Sequence, residues 1–161
     1  MREILFRGKR LDNGEWKCGS YVHQYGCHEI FLESCEGEYG FDHYHVAPET
    51  VGQFTGLTDK NGKWIFEGDI LSVTVNEKIN KAEESDEWLE FGLKVPTGNR
   101  IKTVWSVEWK KFSGFLGFRA YGKDRRFNIP LTYNTIYNNG AEVIGNIHDN
   151  PELLGERKDN D

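Results

Sequence analysis

All 3 cysteines of this sequence, Cys18, Cys27 and Cys35, fall between residues 18 and 45, together with four of its 5 histidines, His23, His28, His43 and His45. Thiolates and imidazoles are the ligand types of a tetrahedral zinc site, which would draw four of them together. The spacing argues against zinc: there is no Cys-x2-Cys knuckle, and neither Cys27-His28 nor His43-x-His45 is a common zinc-finger interval. The metal candidates Cys18, Cys27, Cys35, His43 and His45 therefore rank below a plainer reading, in which an odd number of reduced thiols sits half-buried in a cytoplasmic protein. No cofactor is expected. A cysteine nucleophile, Cys27 or Cys35 activated by His43, needs a third, orienting group in space. No family-specific signature surrounds either cysteine.

Two further groups of residues could do chemistry. Glu67-Gly68-Asp69 sets two carboxylates at a spacing that suits a metal or an acid-base pair. It equally suits a turn entering a strand, with glycine at positive φ and the aspartate accepting backbone hydrogen bonds, and Asp69 is assigned that structural role. Trp105, Trp109, Phe112 and Phe115 lie near Lys110 and Lys111, with Lys123, Arg125 and Arg126 further on. Such a set could stack bases and contact phosphates, or form a partner surface. Against nucleic acid stands a net charge of -6, from 20 basic and 26 acidic residues, where binding usually requires a basic excess. Strand alternation would also account for Trp105 and Trp109 as core residues.

The elements that position these groups are strands. The chain has 161 residues, of which 14% are aromatic and 18 are glycine, with a single methionine, a balance that favours strands and turns over helices. Its length is enough to bury a core without disulfides or metal. Asn13-Gly14 and Asn61-Gly62 are tight-turn signals, and around them Phe-x-Gly-x4-Asn-Gly-x-Trp occurs twice, from Phe6 to Trp16 and from Phe54 to Trp64. Each copy reads as strand, turn, strand. Short strands are expected at Glu29–Leu32 and Phe41–Val46. Ile70–Val75 reads as a half-buried strand with Leu71, Val73 and Val75 on one face, and Ile101–Trp109 alternates cleanly. Trp88–Val95, Phe112–Phe118, Phe127–Leu131 and Glu142–Ile147 complete the β reading. Residues 76–99 gather six acids with little periodicity and read as a solvated insertion. Asn150-Pro151-Glu152 marks the start of a short C-terminal helix, with Asn150 as its cap. There is no apolar run of membrane-spanning length, and the opening residues lack the long apolar stretch of a signal peptide. A cytoplasmic protein with no membrane partner is expected.

Several blocks of the chain, in order, resemble the YopX family: Arg2–Lys9, Val51–Leu57, Asp59–Gly62, Ile65–Ile70 and Ile144–Leu154. This resemblance implies a small protein carried by bacteriophages or prophages, with an unusual N-terminal β region followed by a β-barrel, and homo-oligomers. It implies no catalytic residue, since no activity is established for the family. Cys18–His45 and Asn76–Asn99 are less typical of it.

The expected architecture is mainly β: duplicated N-terminal hairpins, a partly closed antiparallel barrel and a short C-terminal helix. It forms a single domain over residues 1–155, hairpin-rich over 1–66 and barrel-forming over 67–149, with a charged tail over 156–161. The expected function is that of a non-enzymatic accessory protein acting through self-association and an unidentified host or phage protein. Nucleic-acid binding through the barrel is the alternative.

Overall fold

The computed structural model describes residues 4–32, 42–76, 100–112, 115–122 and 128–155. The expected strand at Trp88–Val95, nearly all of the acidic insertion, and Cys35 lie outside these residues.

Both Asn-Gly repeats fold as hairpins. Phe6–Lys9 (β1) pairs with Trp16–Gln24 (β2), and Gly52–Thr58 (β5) pairs with Trp64–Phe66 (β6), all antiparallel. The turn glycines Gly14 and Gly62 take φ of 72° and 82°, left-handed values that L side chains disfavour. The copies differ in closure: Arg10 donates its N–H to Glu15 in the first, and Asp59 donates to Lys63 in the second. The second absorbs the difference as a register shift between Phe54 and Thr58.

β1 also pairs with β5, setting the hairpins edge to edge. Cys27–Phe31 (β3) and His43–His45 (β4) extend this sheet to six strands in the order β4-β3-β2-β1-β5-β6. Beyond its paired residues, the end of β1 meets the end of β4. Arg10 bridges Val46, the Leu11 N–H donates to the His45 carbonyl, and the Ala47 N–H donates to the Lys9 carbonyl. The four strands β1–β4 thus touch in a ring at that point, and Gly8 permits it: a Cβ there would lie 2.8 Å from Val46.

The chain passes from β6 through Glu67-Gly68 into a second, antiparallel sheet. Its strands are Asp69–Asn76 (β7), Arg100–Phe112 (β8), Phe115–Gly122 (β9), Asn128–Pro130 (β10) and Glu142–Asn146 (β11), in the order β10-β9-β8-β7-β11. This sheet has two edges, so it is an open relative of a barrel and agrees with the expectation of partial closure. Pro130 sits on the edge strand β10, where its missing N–H costs no ladder bond. Leu71, Val73 and Val75 face Trp105, Val107, Phe118, Ala120 and Val143 in the main core, and Ile65 of β6 reaches into it from the other sheet. The strand read as half-buried is buried on both faces at its start, since Ile70 and Ser72 are also covered.

A short α-helix, Tyr133–Asn138 (α1), was not expected from the sequence. Its signal is local: Thr132 accepts the Thr135 N–H as the cap, and Ile136 is the one residue it buries. The expected C-terminal helix is a single 3-10 turn, Pro151–Leu154. Pro151 and Glu152 stand where a helix start wants them, but Asn150 makes no side-chain cap hydrogen bond.

Gly52 faces the passage between the sheets, where a Cβ would lie 2.5 Å from the Glu67 carbonyl oxygen. Gly52→Ala therefore forces the backbone apart and lowers stability by about 2 kcal/mol. Gly117→Ala is the control, because a Cβ there meets nothing within 4 Å; chemical denaturation of both variants measures the difference.

Candidate functional site

A set of charged and aromatic side chains lies where the sheets join. Arg7 of β1 reaches Asp69, the first residue of β7, with Nη1 2.6 Å from Oδ1. Its Nη2 donates to the Glu67 carbonyl at 3.2 Å, and its guanidinium lies 4.8 Å from the Trp16 ring centroid and 5.0 Å from that of Phe66. The Phe66 N–H donates to the other Asp69 oxygen at 2.8 Å. Asp69 is 1% exposed. Burial holds its carboxyl above the usual range, although Arg7 and the Phe66 N–H pull the other way. Gly68, with φ of 81°, and Asp69 make the turn expected of them. Glu67 takes a separate partner, accepting the Trp109 N–H at 3.2 Å, so the two carboxylates do not form an acid-base pair.

The turn after β11 locks onto the first hairpin beside this joint. Asp149 accepts hydrogen bonds from Asn146 Nδ2 at 2.9 Å, Lys9 Nζ at 2.6 Å and Trp16 Nε1 at 2.7 Å. These three donors, Asn146 foremost, hold its carboxyl far below the usual carboxylate range. Asn146 Oδ1 in turn accepts the His148 and Asp149 N–H groups. The His148 ring lies beside Trp16, and burial, with Arg7 next, pushes its imidazole below the ordinary range. On the far side of the second hairpin, Asp59 accepts the N–H groups of Asn61, Lys63 and Val143, pinning the β5–β6 turn to β11. Burial opposes ionisation of Asp59, but the three N–H donors outweigh it and keep its carboxyl below the usual range.

The cysteine and histidine segment spreads over the other end of the first sheet. Cys18 is half-buried against Leu5, Phe54 and Phe66, whereas Cys27 is exposed beside the Tyr25-Gly26 turn. The register puts Cys18 opposite Arg7 and Cys27 opposite Gln24, which separates the thiols by roughly 20 Å along β2. They cannot share a metal. His43 and His45 do share a neighbour, since each Nε2 lies 3.7 Å from Oε1 of the buried Glu29. His23 and His28 stack across the β2–β3 pair at 4.1 Å, and Tyr21 Oη lies 2.5 Å from His28 Nδ1. Among the described residues, no three His, Cys, Asp or Glu side chains form a set that could hold a metal ion. Sequence reasoning missed Glu29, because only the strand register sets it opposite His45.

The aromatic and basic surface divides. Trp105, a candidate for it, is 1% exposed and packs in the main core, because it shares the inward face of β8 with Val107. Trp109 lies further along the same face, at the outer end of the strand, and is 37% exposed against Phe118. Lys110 pairs with Glu108 at 2.6 Å, with its Nζ 5.0 Å from the Tyr121 ring. The side chains of Lys111, Phe112 and Phe115, and the residues Lys123, Arg125 and Arg126, lie outside the described part. Among the described residues, no helix is long and apolar enough to cross a membrane.

Two antiparallel sheets joined by a buried ion pair, with paired Asn-Gly hairpins in the first, define a small mainly β protein. The chain matches the YopX family, described as YopX protein, over residues 6–155, and it belongs to that family. It is also similar in structure to protein EF1440 from Enterococcus faecalis, solved by crystallography, with a TM-score of 0.51 and 20% identity over 96% of this chain and 99% of that one. That likeness is one of fold. No curated protein matches the chain.

Removing one member of the joint should unfold more than its own contacts. Arg7→Ala leaves Asp69 buried and uncompensated and is expected to cost about 3–5 kcal/mol, whereas Arg7→Met/Asp69→Leu costs less. A greater loss in the double variant would refute this coupling. Asp149→Ala, with its site partly exposed, costs about 1–2 kcal/mol. Because the folded Asp149 and Asp59 carboxyls titrate below their unfolded values, their contribution is present above about pH 4 and fades as pH falls. Asp149→Ala and the parent chain should therefore converge in stability on acidification, a trend that denaturation at stepped pH reads directly.

Proposed function

We propose that this protein is a phage- or prophage-encoded accessory factor that acts in the bacterial cytoplasm by binding, through self-association and a protein partner, without catalysis. The observation that carries this reading is the display of aromatic side chains: Tyr25, Trp64, Tyr133 and Tyr137 are all exposed, and such residues are the usual anchors of protein interfaces. Three carboxylates at the joint and beside it are engaged internally: Asp69 with Arg7, Asp59 with backbone N–H groups, and Asp149 with Lys9 and Trp16. YopX family membership supports the phage or prophage origin. The nucleic-acid alternative retains the exposed Trp109, but Lys110 projects from the opposite face of β8 towards Tyr121, and the net charge of -6 works against it.

Native mass spectrometry on untagged protein, purified without chelator, tests this reading. A discrete oligomer whose mass is a multiple of 18.6 kDa is expected. A monomer that retains a metal ion would overturn it and return attention to the Cys18–His45 segment.

A further inference from the structure

We propose that Asn61 is a site of spontaneous modification, at which the chain converts its own side-chain amide into aspartate or an isoaspartyl linkage. The reaction needs only water. The Gly62 backbone nitrogen attacks Cγ of Asn61, and the new C–N bond closes a five-membered succinimide. The N–H proton passes through water to the side-chain nitrogen, which leaves as ammonia. Water then opens the ring. Addition at the side-chain carbonyl gives aspartate, and addition at the backbone carbonyl gives isoaspartate, in which the chain runs through the former side chain. Glycine in the following position favours the attack, because no Cβ obstructs the approach of its nitrogen.

The sequence has three Asn-Gly steps, at Asn13, Asn61 and Asn139, and the fold treats them differently. In each the glycine N–H donates to a backbone carbonyl: Gly14 to Arg10, Gly62 to Asp59 and Gly140 to Tyr137. That restraint is common to all three, so the asparagine side chain decides. Asn13 Oδ1 accepts the Glu15 N–H at 2.9 Å, and its Nδ2 lies 3.4 Å from a Glu15 carboxylate oxygen. Asn139 is half-buried, with Nδ2 donating to the Thr135 carbonyl at 2.7 Å. Asn61 is exposed, and its side chain makes no hydrogen bond among the described residues. Its amide can swing onto the Gly62 nitrogen, whereas the other two must first give up a hydrogen bond. The difference lies within the repeat. In the first hairpin the asparagine side chain itself caps the turn two residues on. In the second, Asp59 has taken that role: its Oδ1 accepts the N–H groups of Asn61 and Lys63, at 2.8 and 2.9 Å, and the asparagine is left over.

The site lies where the change is felt. Asp59 is 5% exposed, and its other oxygen accepts the Val143 N–H of β11 at 3.0 Å. An isoaspartyl linkage lengthens the backbone by one carbon between the Asn61 and Gly62 nitrogens, both of which donate to Asp59. The turn cannot keep both bonds in their present geometry. Either product also sets a new negative charge two residues from the Asp59 carboxylate, and like charges so close repel. Deamidation therefore loosens the tie between the second hairpin and β11.

The test is peptide mapping by mass spectrometry, with fragmentation that separates aspartate from isoaspartate. The folded chain and the chain in denaturant are aged side by side at mildly alkaline pH. Each asparagine is compared with itself, so the ratio of folded to denatured rate isolates what the fold contributes. The ratio for Asn61 is expected to exceed those for Asn13 and Asn139 about fivefold or more, the factor that one net hydrogen bond supplies. Asn13 or Asn139 matching Asn61 in this ratio, or an Asn61 that reacts in denaturant and stays intact in the folded chain, would overturn the proposal. The consequence is read by amide hydrogen exchange. Lys63 and Val143 should exchange faster in the aged chain, and Asn61→Ser, which has no amide to lose, should age without that change. Unchanged exchange in protein that carries isoaspartate at this position, or the same change in Asn61→Ser, would overturn the link to β11.

Discussion

The buried pair of Arg7 and Asp69 is the constraint around which the two sheets are arranged. Asp69 opens the second sheet, and the charge that neutralises it comes from the first strand of the first sheet. Among the described residues, each is the other's only ion-pair partner: the carboxylate, which also accepts the Phe66 N–H, is out of reach of water, and the guanidinium, which also donates to the Glu67 carbonyl, is held between Trp16 and Phe66. A buried charge that loses its partner is among the costliest defects a small protein can carry, so the pair fixes one relative placement of the hairpins and the β7 sheet. The close approach at Gly52, the Glu67 carbonyl and the Asp149 cluster all assume that placement.

Much of the fold was legible because its signals are local. The two Asn-Gly repeats give two hairpins, and the alternation of Ile101 to Trp109 gives a strand whose inner face ends at the partly exposed Trp109. The role of Asp69 also followed from the Gly-Asp step alone. What escaped the sequence is what depends on partners far along the chain. Nothing near Asp69 announces Arg7, nothing near Glu29 announces two histidines on β4, and Trp105 reads as core or surface until the opposite sheet is known. The helix α1 was hidden by its length and by aromatic residues with modest helix propensity. The C-terminal turn had every mark of a helix start and stopped after one 3-10 turn.

The blocks that carry the YopX resemblance meet in space. Arg7 and Lys9, Gly52 and Phe54, Asp59, Phe66 to Asp69, and Asn146 to Asp149 all contribute to the joint or to the clamp beside it. Their shared task is to hold the sheets together, which is why the resemblance conveys a fold so fully and conveys no chemistry. The edges of the second sheet are guarded: β11 is engaged by the Asp59-Lys60 turn, and β10 is short and carries Pro130. Guarded edges oppose strand-to-strand addition.

The contact between Lys9 and Asp149 also sets a schedule. These residues are 140 positions apart, so the first hairpin leaves the ribosome long before the segment on which it depends. During synthesis the first sheet must wait, with Trp16 uncovered and Arg7 lacking Asp69 until the middle of the chain emerges. Contacts of such long range are slow to form and leave apolar surface exposed in the interval. A ribosome that stops short of Asp149 would release a chain whose first hairpin, made long before, still lacks the partner of Lys9 and Trp16.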